Sequence, residues 1–387
     1  MTSLYACTGP RLTRYDIDVD AGLIEERESI DLPADGSYAW PHASGKYLYA
    51  ATSDTLPKRR NPGVPAGSDH RLIALKVGDD GVLSEHGASV RLPTRAVHVS
   101  TDVDSRHVLV AFNRPSDLRV YAIEEDGSLG AEQPQERPLD AGIFAHQVRV
   151  TPDNRLAMLV TRGNDPENGK PEEPGALKVF EYDDGRLGGC ATVAPGGGFG
   201  FGPRHLDFHP RKPWVYVALE RQNELAMFRR HGDTWGSEPL FVKETLLNPD
   251  HVRPRQLAGT VHVHPRGAVV YVANRAYTPD EIDGRSVLSG GENNIAVFRI
   301  DPCTGEPRAV QHVDTGGVYA RTFHVHPSGR LLVTANLMPL DVLENGVVRA
   351  VPASLGVFRI DDGGKLDHLR TYEVDVRDKS LYWIGIF

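Results

Sequence analysis

The chain has 387 residues, 52 of them acidic and 43 basic, and its net charge of −9 excludes the basic face of a general nucleic-acid binder. Its three cysteines, Cys7, Cys190 and Cys303, lie far apart and form no C-x-x-C pair, which argues against a disulfide framework and favours a reducing compartment. No apolar run reaches membrane-spanning length, and the N-terminus lacks the pattern of a signal peptide. We therefore expect a soluble, cytoplasmic protein that binds neither nucleic acid nor membrane.

Strand-like stretches follow one another along the chain from its N-terminus. Three short ones lie near residues 5–8, 12–17 and 24–29. A unit of strand, turn and strand then recurs six times, with first strands beginning near residues 38, 97, 146, 204, 261 and 321. The clearest turns contain His-Pro, as at His209, His264 and His326, and later hairpins carry Asp-Gly tips, which suit turns that need positive φ.

Self-similarity at a period of about 50–60 residues, all of it strand-like, predicts a β-propeller built from four-stranded blades. The six repeats make six full blades. The N-terminal strands and a C-terminal strand over 381–386 are left over, and together they make a seventh. Such closure removes exposed sheet edges. We predict an all-β, seven-bladed β-propeller whose ring is closed by N- and C-terminal strands sharing one blade, with residues 1–387 forming a single domain. Two β-sandwiches would need a linker, and the sequence shows none.

Four long loops interrupt the regular spacing, at residues 53–70, 163–175, 276–293 and 337–354. Each lies between the second and third strand of a blade. In a propeller these loops share one face, so they predict a roof over one end of the central channel. The alternative is that the four loops are surface insertions that the fold tolerates and that form no roof.

Two positions of the repeat meet at the roofed end, because the first and second strands of a blade are antiparallel neighbours. The start of the innermost strand carries His146, Arg204, Gly259 and Arg321. The end of the second strand carries Asn113, Arg162, Glu220, Arg275 and Leu337. Four arginines and a histidine thus gather at one mouth of an acidic protein. Arginine binds carboxylate or phosphate in bidentate fashion, so we predict a small anionic ligand. The alternative is that the arginines pair with Glu220 and with other acids.

The remaining histidines divide into groups by their place in the repeat. His98 and His205 lie one residue after the Arg204 position, and either lines the channel or packs in the core. Histidines at the opposite turn are expected to be structural hydrogen-bonding groups: His42, His209, His264 and His326. The H-x-H pairs at 262–264 and 324–326 recur across repeats and have no carboxylate partner in the pattern, so we expect no metal site. We also find no glycine-rich phosphate loop opening a helix, and expect no cofactor.

One segment resembles a known family. Gly202-Pro203-Arg204-His205 is followed by Phe208-His209-Pro210 and by Glu220, sixteen residues after Arg204. Supporting matches are His98 to Asp102, His146 before Thr151 to Arg155, His262, Arg275, and Arg321 before Phe323. These residues resemble the seven-bladed lactonase family, which includes bacterial propeller-type 6-phosphogluconolactonase and fungal carboxymuconate cycloisomerase. The resemblance covers essentially the whole chain, while the long loops and Arg162 depart from the shorter phosphogluconolactonase pattern.

The resemblance implies that His146, Arg204, Glu220 and Arg275 are catalytic residues, the four that the repeat alignment also brings together. It implies a lactone-processing enzyme of carbohydrate metabolism, most simply one that hydrolyses an anionic sugar-acid lactone such as 6-phosphogluconolactone. Arg204, Arg275 and Arg321 would hold the anion and stabilise the developing oxyanion. Either Glu220 or His146 would act as general base, and a carboxylate between arginines is the poorer base, which favours His146.

Four further residues are expected to bind the substrate: Arg162, His205, His98 and Asn113. A lactone-forming cycloisomerase acting on a carboxylate is the second interpretation, since it would use the same arginines. A non-catalytic propeller that binds other proteins is the third, and it predicts an apolar or blocked mouth. The natural lactone and the oligomeric state are left open by the sequence.

Overall fold

A computed structural model describes residues 2–55, 67–167, 169–253, 255–276 and 278–387 of the chain. Its strands form seven four-stranded antiparallel blades, which confirms the predicted all-β, seven-bladed propeller. Blade 1 contains Asp35–Pro41, Tyr47–Ser53, His70–Val77 and Leu83–Arg91. Blade 2 contains Ala96–Thr101, His107–Asn113, Ser116–Ile123 and Leu129–Glu132. Blade 3 contains Ala145–Val150, Leu156–Thr161, Ala176–Asp183 and Arg186–Val193.

The later blades repeat the same order. Blade 4 contains Pro203–Phe208, Trp214–Leu219, Glu224–His231 and Phe241–Glu244, with the short Thr234–Trp235 beside its third strand. Blade 5 contains Leu257–Val263, Val269–Arg275, Asn294–Ile300 and Pro307–Asp314. Blade 6 contains Ala320–Val325, Leu331–Asn336, Ser354–Ile360 and Leu366–Glu373. The first strands of neighbouring blades contact one another around the ring and so line the central channel.

Blade 7 closes the ring with both ends of the chain, as the sequence predicts. Its strands, from the channel outward, are Leu381–Ile386, Ser3–Thr8, Arg11–Asp18 and Leu23–Asp31. The C-terminal strand pairs antiparallel with Ser3–Thr8, and the Ser3 amide donates to the Phe387 carbonyl at 3.0 Å. This pairing covers the inner edge of the N-terminal strand, which would otherwise be open.

Apolar side chains hold neighbouring blades together. Seven clusters of buried apolar residues among the described residues each lie between two adjacent blades. Between blades 2 and 3, for example, Leu109 and Val120 pack with Val148, Leu159 and Phe180. The alternation of side chains along each strand supplies one apolar set to each face, which is why a blade is buried on both sides.

Hydrogen bonds from one blade to the next recur around the ring. Tyrosine hydroxyls on second strands donate to a glycine carbonyl in a hairpin of the next blade: Tyr5 to Gly81, Tyr49 to Gly127, Tyr216 to Gly305 and Tyr271 to Gly364. His209 Nε2 and His264 Nε2 each bond a glycine carbonyl in the next blade's turn at 2.9 Å, which confirms their structural role. Gly267 is required there, because its φ is +73° and a Cβ would lie 2.6 Å from the His209 ring.

A β-bulge interrupts the first strand of every blade near the roofed end. In six blades one residue is left without a cross-strand partner. From blade 1 onward, leaving out blade 5, these residues are Ser37, Val97, His146, Arg204, Arg321 and Tyr382. In blade 5 the two residues Gly259 and Thr260 face the single residue Ala273. A bulge bends the strand and re-aims the side chain of its extra residue. The chain therefore presents one residue of each blade differently from its neighbours at this end of the channel.

Two of the long loops form the predicted roof. Asp280–Ile282 and Arg285–Leu288 come from blade 5, and Leu340–Glu344 and Val347–Val351 from blade 6. They make one four-stranded sheet through a parallel pairing of Val287 with Asp341 and of Leu288 with Val342. Leu340, Val342 and Val351 pack on a buried cluster formed by Leu288, Val318, Tyr319 and Leu337.

The other two long loops differ from these. The 163–175 loop folds back on itself through a bridge between Asn164 and Glu173. Residues 56–66 of the first predicted loop lie outside the described residues. The glycine-rich connection between blades 3 and 4, predicted to be a loop, contains one 3-10 turn at Pro195–Gly198. Within the described ranges, none of the helical segments has the length and apolar character of a membrane-spanning helix.

Candidate active site

A buried carboxylate, Glu220, lies at the centre of the roofed mouth. It follows directly after the second strand of blade 4 and is 5% exposed. Its carboxylate accepts a hydrogen bond from Arg162 Nη1 at 2.6 Å and another from Arg275 Nη2. Arg204 Nε lies 3.1 Å from the same carboxylate. Three guanidinium groups, contributed by blades 3, 4 and 5, therefore share one acid.

The fold explains why these four side chains meet. Arg162, Glu220 and Arg275 occupy the ends of second strands in consecutive blades, and Arg204 is the bulge residue of the strand beside Glu220. Aromatic rings support two of the guanidinium groups: Arg162 lies 4.3 Å from the centroid of Phe144, and Arg275 lies 5.0 Å from that of Tyr319. Such contacts fix the planes of the guanidinium groups and lower the cost of burying them.

This cluster carries more positive than negative charge. Burial opposes ionisation of Glu220, but Arg162, Arg275 and Arg204 outweigh it and hold the pKa of Glu220 well below its usual value. Burial and the neighbouring Arg275 lower the pKa of Arg204 well below its usual value. One carboxylate is thus too little compensation for the cations around it, and a bound anion would relieve the repulsion between them.

Arg321 lies in the same mouth, but it contacts an aromatic ring where the other three arginines contact Glu220. It is the bulge residue of blade 6, and its guanidinium carbon lies 3.8 Å from the centroid of the Tyr382 ring. No carboxylate lies within ion-pair distance of Arg321 in the part of the chain that the structure describes. Buried donors with no hydrogen-bond partner among the described residues remain at Arg275 Nε, Arg275 Nη1 and Arg321 Nε. Unpaired buried donors are rare in folded proteins and are typical of ligand sites.

Three histidines lie beside the arginine cluster, along the central channel. His146, the bulge residue of blade 3, lies 5.2 Å from His205 between ring centroids, and His205 lies 6.2 Å from His98. Arg204 Nη1 lies 3.3 Å from His205 Nδ1. Burial and Arg204 lower the pKa of His146 and of His205 well below their usual values. Burial likewise lowers the pKa of His98, whose two ring nitrogens have no hydrogen-bond partner among the described residues.

His146 and Glu220 do not form an acid–base pair in the structure. His146 Nδ1 has no hydrogen-bond partner within the described ranges, and Glu220 is bonded to arginines instead. In the structure Glu220 orients the arginines and not His146. The low pKa of His146 also moves its titration below the range near pH 6–7 that an ordinary histidine would show.

Asn113 is the predicted site residue that stands apart. It ends the second strand of blade 2 and is partly exposed, next to Arg114. Over the described residues, no hydrogen bond joins it to the arginine cluster. The repeat position is the expected one, but among the described residues no hydrogen bond or ion pair links blade 2 at this position to the group that blades 3 to 6 form.

Sequence reasoning missed three residues of this mouth. Asp165, from the 163–175 loop, lies 3.8 Å from Arg162 and bonds Arg221 at 2.7 Å. Tyr382 is the bulge residue of blade 7, and Arg95, which precedes the first strand of blade 2, donates to its hydroxyl at 2.7 Å. Tyr382 could have been found by aligning the closing strand with the first strands of the other blades.

The expectation of no carboxylate near the H-x-H histidines is wrong for one of them. Asp207 Oδ2 lies 3.7 Å from His262 Nδ1, and the rings of His262 and His324 lie 5.1 Å apart between centroids. The same oxygen of Asp207 accepts from the Val263 amide at 2.8 Å. Among the residues described, no three His, Cys, Asp or Glu side chains are grouped as metal ligands.

Comparison with known proteins identifies the family. A family model described as lactonase, 7-bladed beta-propeller, matches residues 2–338. A 6-phosphogluconolactonase of Bacillus subtilis is 28% identical over 253 residues, which span 62% of each chain, less than two thirds of that relative. A 6-phosphogluconolactonase of Serratia proteamaculans is 22% identical over 369 residues, spanning 95% of this chain and 93% of the relative.

The fold is shared with solved structures at lower identity. A periplasmic gluconolactonase of Pseudomonas aeruginosa superposes with a TM-score of 0.73 at 19% identity, covering 100% of this chain and 98% of that one. At such identity the likeness concerns the fold. The match of the family model over residues 2–338 carries the assignment: the chain belongs to the seven-bladed β-propeller lactonase family.

Proposed function

We propose that the protein hydrolyses the lactone of an anionic sugar acid, with 6-phosphogluconolactone, the substrate in the names of two relatives, as the first candidate. The observation that supports this most is the excess of guanidinium groups at the roofed mouth. Arg162, Arg204 and Arg275 share one carboxylate, while Arg321 has no acidic partner among the described residues.

The unpaired donors suggest how the substrate is held. Arg321 Nε and, in Arg275, Nε and Nη1 are buried donors that no described residue bonds, and they would donate to phosphate or carboxylate oxygens. Arg204, fixed by Glu220 and His205, is placed to stabilise the oxyanion that develops on the lactone carbonyl. The role of Glu220 is to hold three cations in fixed positions, which pre-organises the site before substrate arrives.

His146 would hydrogen-bond the lactone in its neutral form. Burial and Arg204 keep its pKa well below neutrality, so the ring carries no charge at pH 7 and has one donor and one acceptor nitrogen. Arg162 and His205 would support the substrate-binding arginines from behind, and His98 would line the channel beneath them.

The alternatives receive less support. The names of the relatives point to lactone opening and do not favour the lactone-forming cycloisomerase. A protein-binding platform would need an apolar or blocked mouth, whereas this mouth is charged. Cytoplasmic location and a single domain remain predictions.

The test is a panel of lactones followed by continuous titration of the acid released, with spontaneous hydrolysis subtracted. We expect turnover of 6-phosphogluconolactone at a higher kcat/KM than that of uncharged gluconolactone. Arg321→Met should reduce kcat/KM much more for the phosphorylated lactone than for gluconolactone, because the residue binds the anionic group that only the first substrate carries. Equal loss on both substrates would refute that role, and loss of a muconate chromophore without lactone opening would favour the cycloisomerase.

A further inference from the structure

The proposed reaction requires a group that takes a proton from water, and the two residues expected for it are poorly suited. Glu220 is tied to three arginines, which stabilise its ionised form and make it a weak base. His146 is buried beside Arg204, and its Nδ1 bonds no described carboxylate that could raise its basicity. The arginines that move the pKa values of Glu220 and His146 away from neutrality bring the pKa of another side chain at the same mouth toward it.

We propose that Tyr382 is the acid–base residue of this site. It is the bulge residue of blade 7, at the repeat position that carries Arg321 in blade 6, Arg204 in blade 4 and His146 in blade 3. It is partly exposed, unlike the four buried tyrosines on second strands that bond glycine carbonyls of the next blade, Tyr5, Tyr49, Tyr216 and Tyr271. This inference rests on the proposed lactone hydrolysis.

The surroundings of Tyr382 favour its ionised form. Arg95 Nη2 donates to its hydroxyl oxygen at 2.7 Å, and the Arg321 guanidinium lies 3.8 Å from its ring centroid. Burial opposes ionisation, but Arg321, Arg95 and, from farther away, Arg204 outweigh it and lower the pKa of Tyr382 to about 7. Tyr382 also packs against the buried apolar cluster beneath the roof, which contains Leu288, Val318 and Leu337. A group with such a pKa transfers protons in both directions at neutral pH.

The chemical step then balances without any further reagent. The Tyr382 phenolate oxygen takes a proton from water while the water oxygen bonds to the lactone carbonyl carbon. The carbonyl electron pair moves onto its oxygen, where Arg204 and Arg275 stabilise the charge. When the carbonyl re-forms, the bond from the acyl carbon to the ring oxygen breaks. Tyr382 returns its proton to that oxygen, and the new carboxylic acid ionises to solvent.

Arg95 acts on this step through Tyr382. It reaches the hydroxyl from the segment before blade 2, whereas Tyr382 and Arg321 belong to blades 7 and 6. The hydrogen bond therefore connects blades that are not neighbours and holds the phenol oxygen over the channel. Arg95 is a positioning residue, and its loss should raise the pKa of Tyr382, since one of the cations that lower it disappears.

The first experiment compares Tyr382→Phe with the native enzyme on 6-phosphogluconolactone. Loss of a general acid–base group should reduce kcat by about 10²- to 10⁴-fold and abolish the acidic limb of the kcat/KM profile near pH 7. Tyr15→Phe is the matched control, because Tyr15 lies in the same blade, is buried away from the channel, and burial raises its pKa to about 12. It should leave kcat and the pH profile unchanged. Thermal melts of both variants verify folding.

The second experiment does not depend on turnover. Ultraviolet difference spectra of native protein against Tyr382→Phe should show one tyrosinate appearing with a midpoint near pH 7. In Arg95→Met the midpoint should move up, and the acidic limb of kcat/KM should move with it. No tyrosinate step below the ordinary tyrosine range, or a Tyr382→Phe enzyme with native kcat and pH profile, would overturn the assignment while lactone hydrolysis stands. If the native protein opens no lactone, the proposed function fails, and this inference fails with it.

Discussion

Glu220→Gln is the substitution that tests the arrangement of the arginines most directly. Glutamine keeps the size of the side chain but removes the charge that Arg162, Arg204 and Arg275 share. The three guanidinium groups would then remain together in a buried site, with Asp165, 3.8 Å from Arg162, as the acid within ion-pair distance of them among the described residues. Removing one partner of a buried ion pair costs about 3–5 kcal/mol, because the other charge is left uncompensated.

The expected change in melting temperature follows from the size of the protein. Unfolding entropy is about 2.1 cal/mol/K per residue, or roughly 0.8 kcal/mol/K for a chain of 387 residues. A loss of about 3–5 kcal/mol therefore lowers Tm by about 4–6 °C. Calorimetry or circular dichroism at neutral pH measures this directly, and added phosphate should restore part of the loss in the variant.

The dependence on pH gives a second check. Because the folded pKa of Glu220 is lowered, its stabilising contribution is fully present above the unfolded glutamate pKa of about 4.3. It is lost as pH falls through the lower folded pKa, so the Tm difference between native protein and Glu220→Gln should be constant near neutrality and shrink in strong acid. Glu224→Gln is the control: Glu224 pairs across the sheet with Glu244, and burial and that neighbour raise its pKa. It should melt at or above the native temperature. A Glu220→Gln protein as stable as native at pH 7 would refute the claim that Glu220 compensates the arginines.

Further outcomes follow from the same structure. Arg204→Met should lower kcat/KM on 6-phosphogluconolactone by about 10²- to 10³-fold while Tm stays unchanged or rises, since one of three crowded cations is removed; unfolding of the variant would make Arg204 a structural residue. His146→Gln should lower kcat/KM but keep the acidic limb near pH 7, because the pKa of His146 lies well below that range; disappearance of the limb would return the proton transfer to His146. Replacing residues 340–351 by a short Gly-Ser turn should raise KM without unfolding the propeller, because their strands belong to the roof sheet and to none of the seven blades; a collapse in Tm would show that the roof supports the ring. Deleting residues 381–387 should abolish cooperative thermal unfolding, since it removes the inner strand of blade 7; a soluble truncation that melts cooperatively would contradict the closure argument.

Repeat alignment predicted most of what lies at the mouth, because a propeller places equivalent residues at equivalent radii. That is why Arg162, Arg204, Glu220 and Arg275 could be grouped from sequence although they span more than a hundred residues. The alignment could not predict which arginines pair with Glu220 and which do not. The expected pairing with Glu220 is found for three of the arginines and not for Arg321, while the ligand site stays a prediction.

Tyr382 and the roof sheet were missed for different physical reasons. Tyr382 lies on a strand that is not followed by the His-Pro turn used as the landmark of the other repeats, so its equivalence to Arg321 was hidden. The roof depends on a parallel pairing between loops of two blades, at Val287 and Asp341. Pairing of that kind is set by where the blades place the loops, and neither loop's own pattern indicates it.

Ring closure also determines the order in which the molecule can be completed. Three strands of blade 7 come first along the chain, and the strand that covers Ser3–Thr8 follows every other blade. Contacts that join such distant segments form slowly, and an unpaired strand edge in the meantime is a site for aggregation. The C-terminal strand that closes the ring also carries Tyr382 into the mouth beside Arg321. A ring in which this strand is not paired therefore lacks the Tyr382 side chain at its mouth, so closure of blade 7 also completes the site.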